Sequence, residues 1–210
     1  MKQFLKYLFI VVAILFVGYH SVYFKKLNEM QASTSTGKIN IATYTRSFWN
    51  QKLIPSLNKS LPFGELIELL KADPKKAFKE KGNALGIGDL KYFMIKGEGK
   101  VENINENETT VSVQTNSQHI SVRIATEYVF GNAVRDASGL ISMNEFDNTS
   151  DFNEISAGIN KLIREEVLPD FKKNVKAGDR IQFIGAIELN SKFLKLSDIE
   201  VTPVQLRILK

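Results

Sequence analysis

Cysteine is absent from the 210 residues, and histidine occurs only at His20 and His119. Without a thiol there are no disulfides, no thiolate zinc or iron-sulfur sites, no cysteine nucleophile and no cysteine-linked lipid. Two distant histidines do not build a metal centre either, so no metal, cofactor or catalytic residue is expected. Gly82, Gly86 and Gly88 match neither a dinucleotide fingerprint nor a phosphate-binding loop, which needs a following Lys-Ser/Thr. Glycine and proline are few, 13 and 5, and with 43% hydrophobic and 24% charged residues the composition is globular. Wholesale disorder and a collagen-like fibre are excluded.

A basic binding face is missing too, although the net charge is +5. Lys2, Lys6, Lys25 and Lys26 stand in the first 26 residues without a carboxylate, leaving 24 basic against 23 acidic residues downstream. The basicity belongs to the N-terminal segment, where a nucleic-acid-binding domain would concentrate it on one face.

That segment is the one long hydrophobic run. Residues 7–24 carry no charge and are flanked by lysines. Eighteen uncharged residues are the short end of a membrane span. A cleavable signal peptide fits the same stretch but needs small residues at an A-x-A site, and Gly18, Tyr19, His20 and Ser21 provide no such pair. Residues 1–26 are therefore read as a retained anchor helix that contacts the membrane through residues 7–24. A buried helix of a soluble core conflicts with apolarity on every face of residues 7–17. The short N-terminus stays cytoplasmic and the long remainder is exported, an envelope protein with its domain on the periplasmic side.

Residues 27–43, rich in Asn, Gln, Ser and Thr, read as a tether. Residues 44–90 form a small helical region packed on a β domain made by the rest of the chain. Tyr44, Phe48, Trp49 and Leu53 share one side of a helix, with Trp49 a core anchor. A second helix is expected from Leu61 to Leu70, with Pro62 near its first turn, and Asp73-Pro74 caps and opens a third.

Residues 91–210 have the element order of an OB-like five-stranded β-barrel. A long first strand over 92–104 carries Gly97 and Gly99 where it must bend. Strands at 109–115 and 118–125 alternate apolar and polar residues, and a helix over 151–168 has the stripe Phe152, Ile155, Ile159, Leu162 and Ile163 before Pro169 ends it. Ile181 to Leu189 and Ile199 to Ile208 form the last two strands, with a bulge after Pro203. Three strands, one packed helix and two strands match the Greek-key barrel. The class is α+β, mainly β. Its second and third strands contain no aromatic and one basic residue, Arg123, so no nucleic-acid partner is expected.

The run from Tyr128 through Gly131, Arg135, Asp136, Gly139, Ile141, Asn144, Phe146 and Asn148, followed by Phe152 and Asn160, resembles the central motif of an uncharacterised family of predicted periplasmic lipoproteins (domain of unknown function 2291). Residues 49–55, Gly185 and residues 201–204 are similar to that family too. The resemblance implies an exported, envelope-associated protein, in some members encoded beside sugar-uptake transporters, and brings no ligand or catalytic residue. Lacking the lipobox cysteine, this chain would have to be held by its hydrophobic segment.

Asn132, Arg135, Asp136, Asn144 and Asn148 stand among aromatics in a connection too elaborate for a simple link. Such a mixture suits a pocket for a small polar ligand such as a sugar; alternatively Arg135 braces loop carbonyls and the asparagines serve turns and caps. His119 lies on the polar strand face, and Glu165, Glu166 and Asp170 read as a solvated face rather than as a catalytic carboxylate pair. The expected function is a non-catalytic, membrane-anchored envelope protein that binds a sugar or serves components of an ABC-type uptake system. The alternative is a structural or protein-interaction module without a small ligand, and less favoured is an unrecognised hydrolase.

Overall fold

The computed structural model describes residues 40–86 and 88–209, together with Phe4 and Tyr7. Apart from Tyr7, the anchor expected over residues 7–24 lies outside the described residues, as does the tether up to residue 39. Among those described, no helix is long and apolar enough to cross a membrane.

The expected tether ends earlier than residue 43. Asn40 accepts the Thr43 N–H on its side chain at 3.0 Å and so opens helix α1 at Ile41–Phe48. The chain then widens into a π turn, Trp49–Leu53, before α2, Ile54–Ser56, and a 3-10 turn, Leu57–Lys59. In place of a helix starting at Leu61, Leu61–Pro62 forms a short strand, β1, and helix α3 is Phe63–Ala72. Pro62 is the N-cap residue, next to the first turn as expected. Asp73 caps α4, Pro74–Glu80, as its sequence requires.

The strands are β2, Leu90–Ile104; β3, Glu108–Gln114; and β4, His119–Ala125. Helix α5, Ala133–Ser138, and a 3-10 turn, Met143–Glu145, follow, then helix α6, Thr149–Leu162. Contrary to expectation, Pro169 does not end this helical run. A second π turn, Ile163–Val167, precedes α7, Leu168–Asn174, in whose first turn Pro169 sits. The π turn directly ahead of the proline widens the ladder that its ring would otherwise disturb. Strands β5, Arg180–Asn190, and β6, Ile199–Leu209, complete the chain.

The sheet is mixed and six-stranded, in the order β1-β2-β3-β4-β6-β5, where five strands were expected. The addition is β1, which pairs parallel to β2 through Leu61 and Pro62. Because β2 also pairs with β5, strands β2, β3, β4, β6 and β5 form a closed cycle of pairings. β2 serves two neighbours by bending, pairing with β5 from Leu90 to Lys100 and with β3 from Gly99 onward. Gly99 permits the approach, since a Cβ there would run into the Ser112 carbonyl. The bulge after Pro203 is present: Gly185 faces Pro203 while Ile184 faces Gln205, leaving Val204 unpaired.

Two apolar cores result. One joins Phe93, Val111, Val122, Phe183 and Val201 to Phe63, Leu66, Ile67 and Leu70 of α3. The other places Trp49 and Phe48 with Phe152, Ile155 and Ile159 of α6 against Ala125, Ala186 and Val204. Trp49 is a core anchor, but α3 and α4 dock through the first core, by Phe63, Leu66 and Phe78, and not through Trp49.

Candidate functional site

The connection from β4 to α6 is an ordered assembly of side-chain braces. Directly after β4, Tyr128 and Phe130 point outward, 64% and 67% exposed, with ring centres 6.4 Å apart and planes inclined by 29°. Their backbone is held from behind. Arg164 donates to the Val129 carbonyl at 2.5 Å, its guanidinium lying 5.5 Å from the Phe130 ring centre, and Asn160 donates to the Gly131 carbonyl at 2.9 Å. Gly131 supplies the positive φ, +79°, that turns the chain into α5.

Arg135 lies within α5 and is 4% exposed; the adjacent Asp136 is 7% exposed. The guanidinium donates through Nε to Asp136 Oδ1 at 2.7 Å and through one terminal nitrogen to the Phe152 carbonyl at 3.1 Å and Asn153 Oδ1 at 3.3 Å. It also stacks over the Phe152 ring, 3.7 Å from its centre. Asn132 is half-buried at the N-cap of α5, where its carbonyl accepts the Asp136 N–H at 2.9 Å. Asn144 is exposed in the 3-10 turn, which Ser142 and Glu145 close as a capping box. Asn148, also exposed, caps α6 by accepting the Asp151 N–H at 2.9 Å.

The structure therefore joins Arg135 to Asp136 and sets the three asparagines apart, in the backbone roles of caps and turns. Beside Asp136 is a notch of about 340 Å3, shared with Asn83, Ser142 and Glu145; Asp136 alone of the five expected residues lines it. Its polar neighbours are engaged. Asn83 donates to the Ala137 carbonyl at 2.9 Å, and Glu145 accepts from the Ser142 N–H at 2.8 Å and the Tyr44 hydroxyl at 3.3 Å.

On the sheet's outer face, Arg123 is gripped by Asp198 at 2.6 Å, Glu108 at 2.9 Å and Glu200 at 3.3 Å. The hydrogen bond to Glu108 and the surrounding carboxylates raise its pKa above the ordinary arginine value. His119 lines an open groove of about 900 Å3 with Glu98, Lys100, Glu102 and Arg180, charges of both signs. Glu166, one of the acidic trio near Pro169, is bound by Arg46 at 2.5 Å, and that hydrogen bond holds its carboxyl below the usual range. No group of three potential metal ligands occurs among the described residues.

The sequence reading did not single out the exposed pair, although its spacing could have found it, since Tyr128 and Phe130 alternate about the buried Val129.

Among known proteins, the chain matches a family model described as predicted periplasmic lipoprotein (DUF2291) over residues 12–207. A crystal structure of an OB-fold protein from Thermotoga maritima at 1.90 Å is similar at 26% identity and a TM-score of 0.72, over 82% of this chain and 100% of that one. The six-stranded mixed sheet with its helices is thus an OB-fold. The Stn1-Ten1 complex of S. pombe matches at 14% identity and a TM-score of 0.25, over 57% of this chain and 58% of that one, too distant to carry an argument. No curated protein matches.

Proposed function

The chain belongs to the family of predicted periplasmic lipoproteins (DUF2291), and from that premise we propose a non-catalytic envelope protein whose OB-fold docks another envelope component. The family's place is the cell envelope. With no cysteine to carry a lipid, the anchoring role falls to the hydrophobic segment 7–24.

The burial of Arg135 carries this reading. A residue that grips a small ligand must present its donors to the site, and Arg135 is 4% exposed, with Nε and one terminal nitrogen spent on Asp136, Asn153 and a backbone carbonyl. In the same connection Tyr128 and Phe130 are held out to solvent from a braced backbone. Aromatics of this kind, rigid and amphipathic, are typical contact residues of protein interfaces. The notch beside Asp136 supports the second reading, a small polar ligand such as a sugar in a transporter-accessory role. Both face one experiment. Calorimetric titration of the full-length protein in detergent with a panel of sugars gives no heat if the interaction reading holds. A photo-cross-linker at position 130 in intact cells then gives a discrete adduct that Tyr128→Ala removes without lowering the melting temperature. A sugar that binds, with affinity weakened by Asp136→Asn, overturns the interaction reading in favour of the second.

A further inference from the structure

β6 is paired unequally on its two sides. Against β5 its partners run from Thr202, opposite Ala186, to Leu209, opposite Arg180. Against β4 only Ile199, Glu200 and Val201 have partners. In an antiparallel pair, successive residues direct their N–H and C=O alternately toward and away from the partner. Residues 204–209 therefore turn alternate backbone groups to an edge that no strand occupies among the described residues. Among the described residues no loop backbone bond reaches that edge either. Natural sheets usually cover or break such an edge.

Facing it, across a groove of about 720 Å3, run the second π turn and α7, with Val167, Asp170 and Phe171 on the opposite wall. An open strand edge beside a helix is the arrangement that accepts an extended peptide as an added strand. Main-chain hydrogen bonds supply affinity, and alternate side chains supply specificity. Val167, Leu206 and Ile208 are half-buried and offer apolar contact to those alternate side chains. Arg207 is the one charged side chain of residues 204–209 and is exposed. On the opposite wall Glu166 is already bound to Arg46, so Arg207 and Asp170 are the remaining charges of the groove, one of each sign.

We propose that the groove between β6 and α7 binds an extended segment of a partner polypeptide as a further strand, with an acidic side chain of that segment meeting Arg207. A second copy of this chain is the less suitable occupant. Two copies of residues 204–209 paired edge to edge would bring two Arg207 side chains and no carboxylate of their own to the shared strand pair. The proposal rests on the interaction reading above and is independent of the Tyr128 and Phe130 surface.

The test titrates the full-length protein in detergent with three fluorescent decapeptides of alternating valine and threonine, each carrying a central glutamate, glutamine or lysine. The glutamate peptide should bind most tightly and slow amide exchange within residues 204–209. Arg207→Glu should invert the order, changing the affinity of each charged peptide by up to about fivefold, the range of an exposed ion pair, with the melting temperature unchanged. Phe130→Ala should leave peptide binding intact, so failure of the aromatic surface and failure of this groove are read separately. Absence of binding, protection confined to another part of the chain, or concentration-dependent self-association that protects residues 204–209 overturns the proposal.

Discussion

The guanidinium of Arg135 combines three roles that lysine cannot combine: a planar stack on Phe152, a hydrogen bond to Asp136 and a hydrogen bond to a backbone carbonyl. As both charges are nearly inaccessible to water, each depends on the other for solvation. Arg135→Lys should therefore cost roughly 1 to 3 kcal/mol of stability, measured by denaturant unfolding; unchanged stability would remove its role as a brace. A second residue-scale expectation concerns Tyr92, whose hydroxyl is pushed up to about 12, first by burial and then by the charge of Glu188. The folded state holds this proton more tightly than the unfolded chain, where the value is 10.0. Its contribution is complete below pH 10 and is lost as the pH rises toward about 12. Tyr92→Phe should flatten the decline of stability over that window; an unaltered slope would assign the decline to other groups. That Arg135 and Asp136 mattered was legible from their place among aromatics and amides. That Arg135 braces carbonyls was one of the two readings of the sequence; which carbonyl it takes was not legible, because the Phe152 carbonyl lies 17 positions away on another helix.

Helices here are prolonged by π turns at the points where proline would be expected to stop them. Leu53-Ile54-Pro55 and Val167-Leu168-Pro169 repeat one arrangement: a five-residue π turn, then a helix with proline in its first turn. Widening the ladder relieves the clash between the proline ring and the preceding carbonyls. The stripe of α6 was readable from its 3.6-residue period, and the structure buries Phe152, Ile155, Ile159 and Ile163 accordingly. Ile159→Ala should cost about 2 to 5 kcal/mol, while Lys161→Ala, on the exposed side, should stay within about 0.5 kcal/mol. Equal small losses in thermal melts would show that α6 does not face a core. Among the strands, the bend of β2 leaves Gly99 no room for a side chain against the Ser112 carbonyl. Gly99→Ala should destabilise the protein by about 1 to 3 kcal/mol through displacement of β2 from β3; a neutral result would mean that the two strands separate freely there.

For the molecule as a whole, the proposed anchor at residues 7–24 rests on envelope placement and the absence of cysteine from the sequence. Alkaline carbonate should leave the full-length protein with the membranes, and protease added to spheroplasts should digest residues 40–209. A protein released by carbonate, or one whose mature N-terminus lies near residue 21, would contradict the anchor. Lysine-flanked apolarity, the alternation of β3 and β4 and the stripe of α6 are properties of neighbouring residues, so composition and spacing were enough to read placement, strand order and core faces. The sixth strand, and the edge of β6 that has no strand partner among the described residues, arise from contacts between segments distant in the chain. Leu61 meets Ile95, and β6 outruns β4 because their register begins at Ile199 opposite Val122. Tertiary folding alone decided which polar groups were consumed internally and which backbone groups stayed open, because hydrogen-bonding capacity is allotted among partners that only the packed chain brings together.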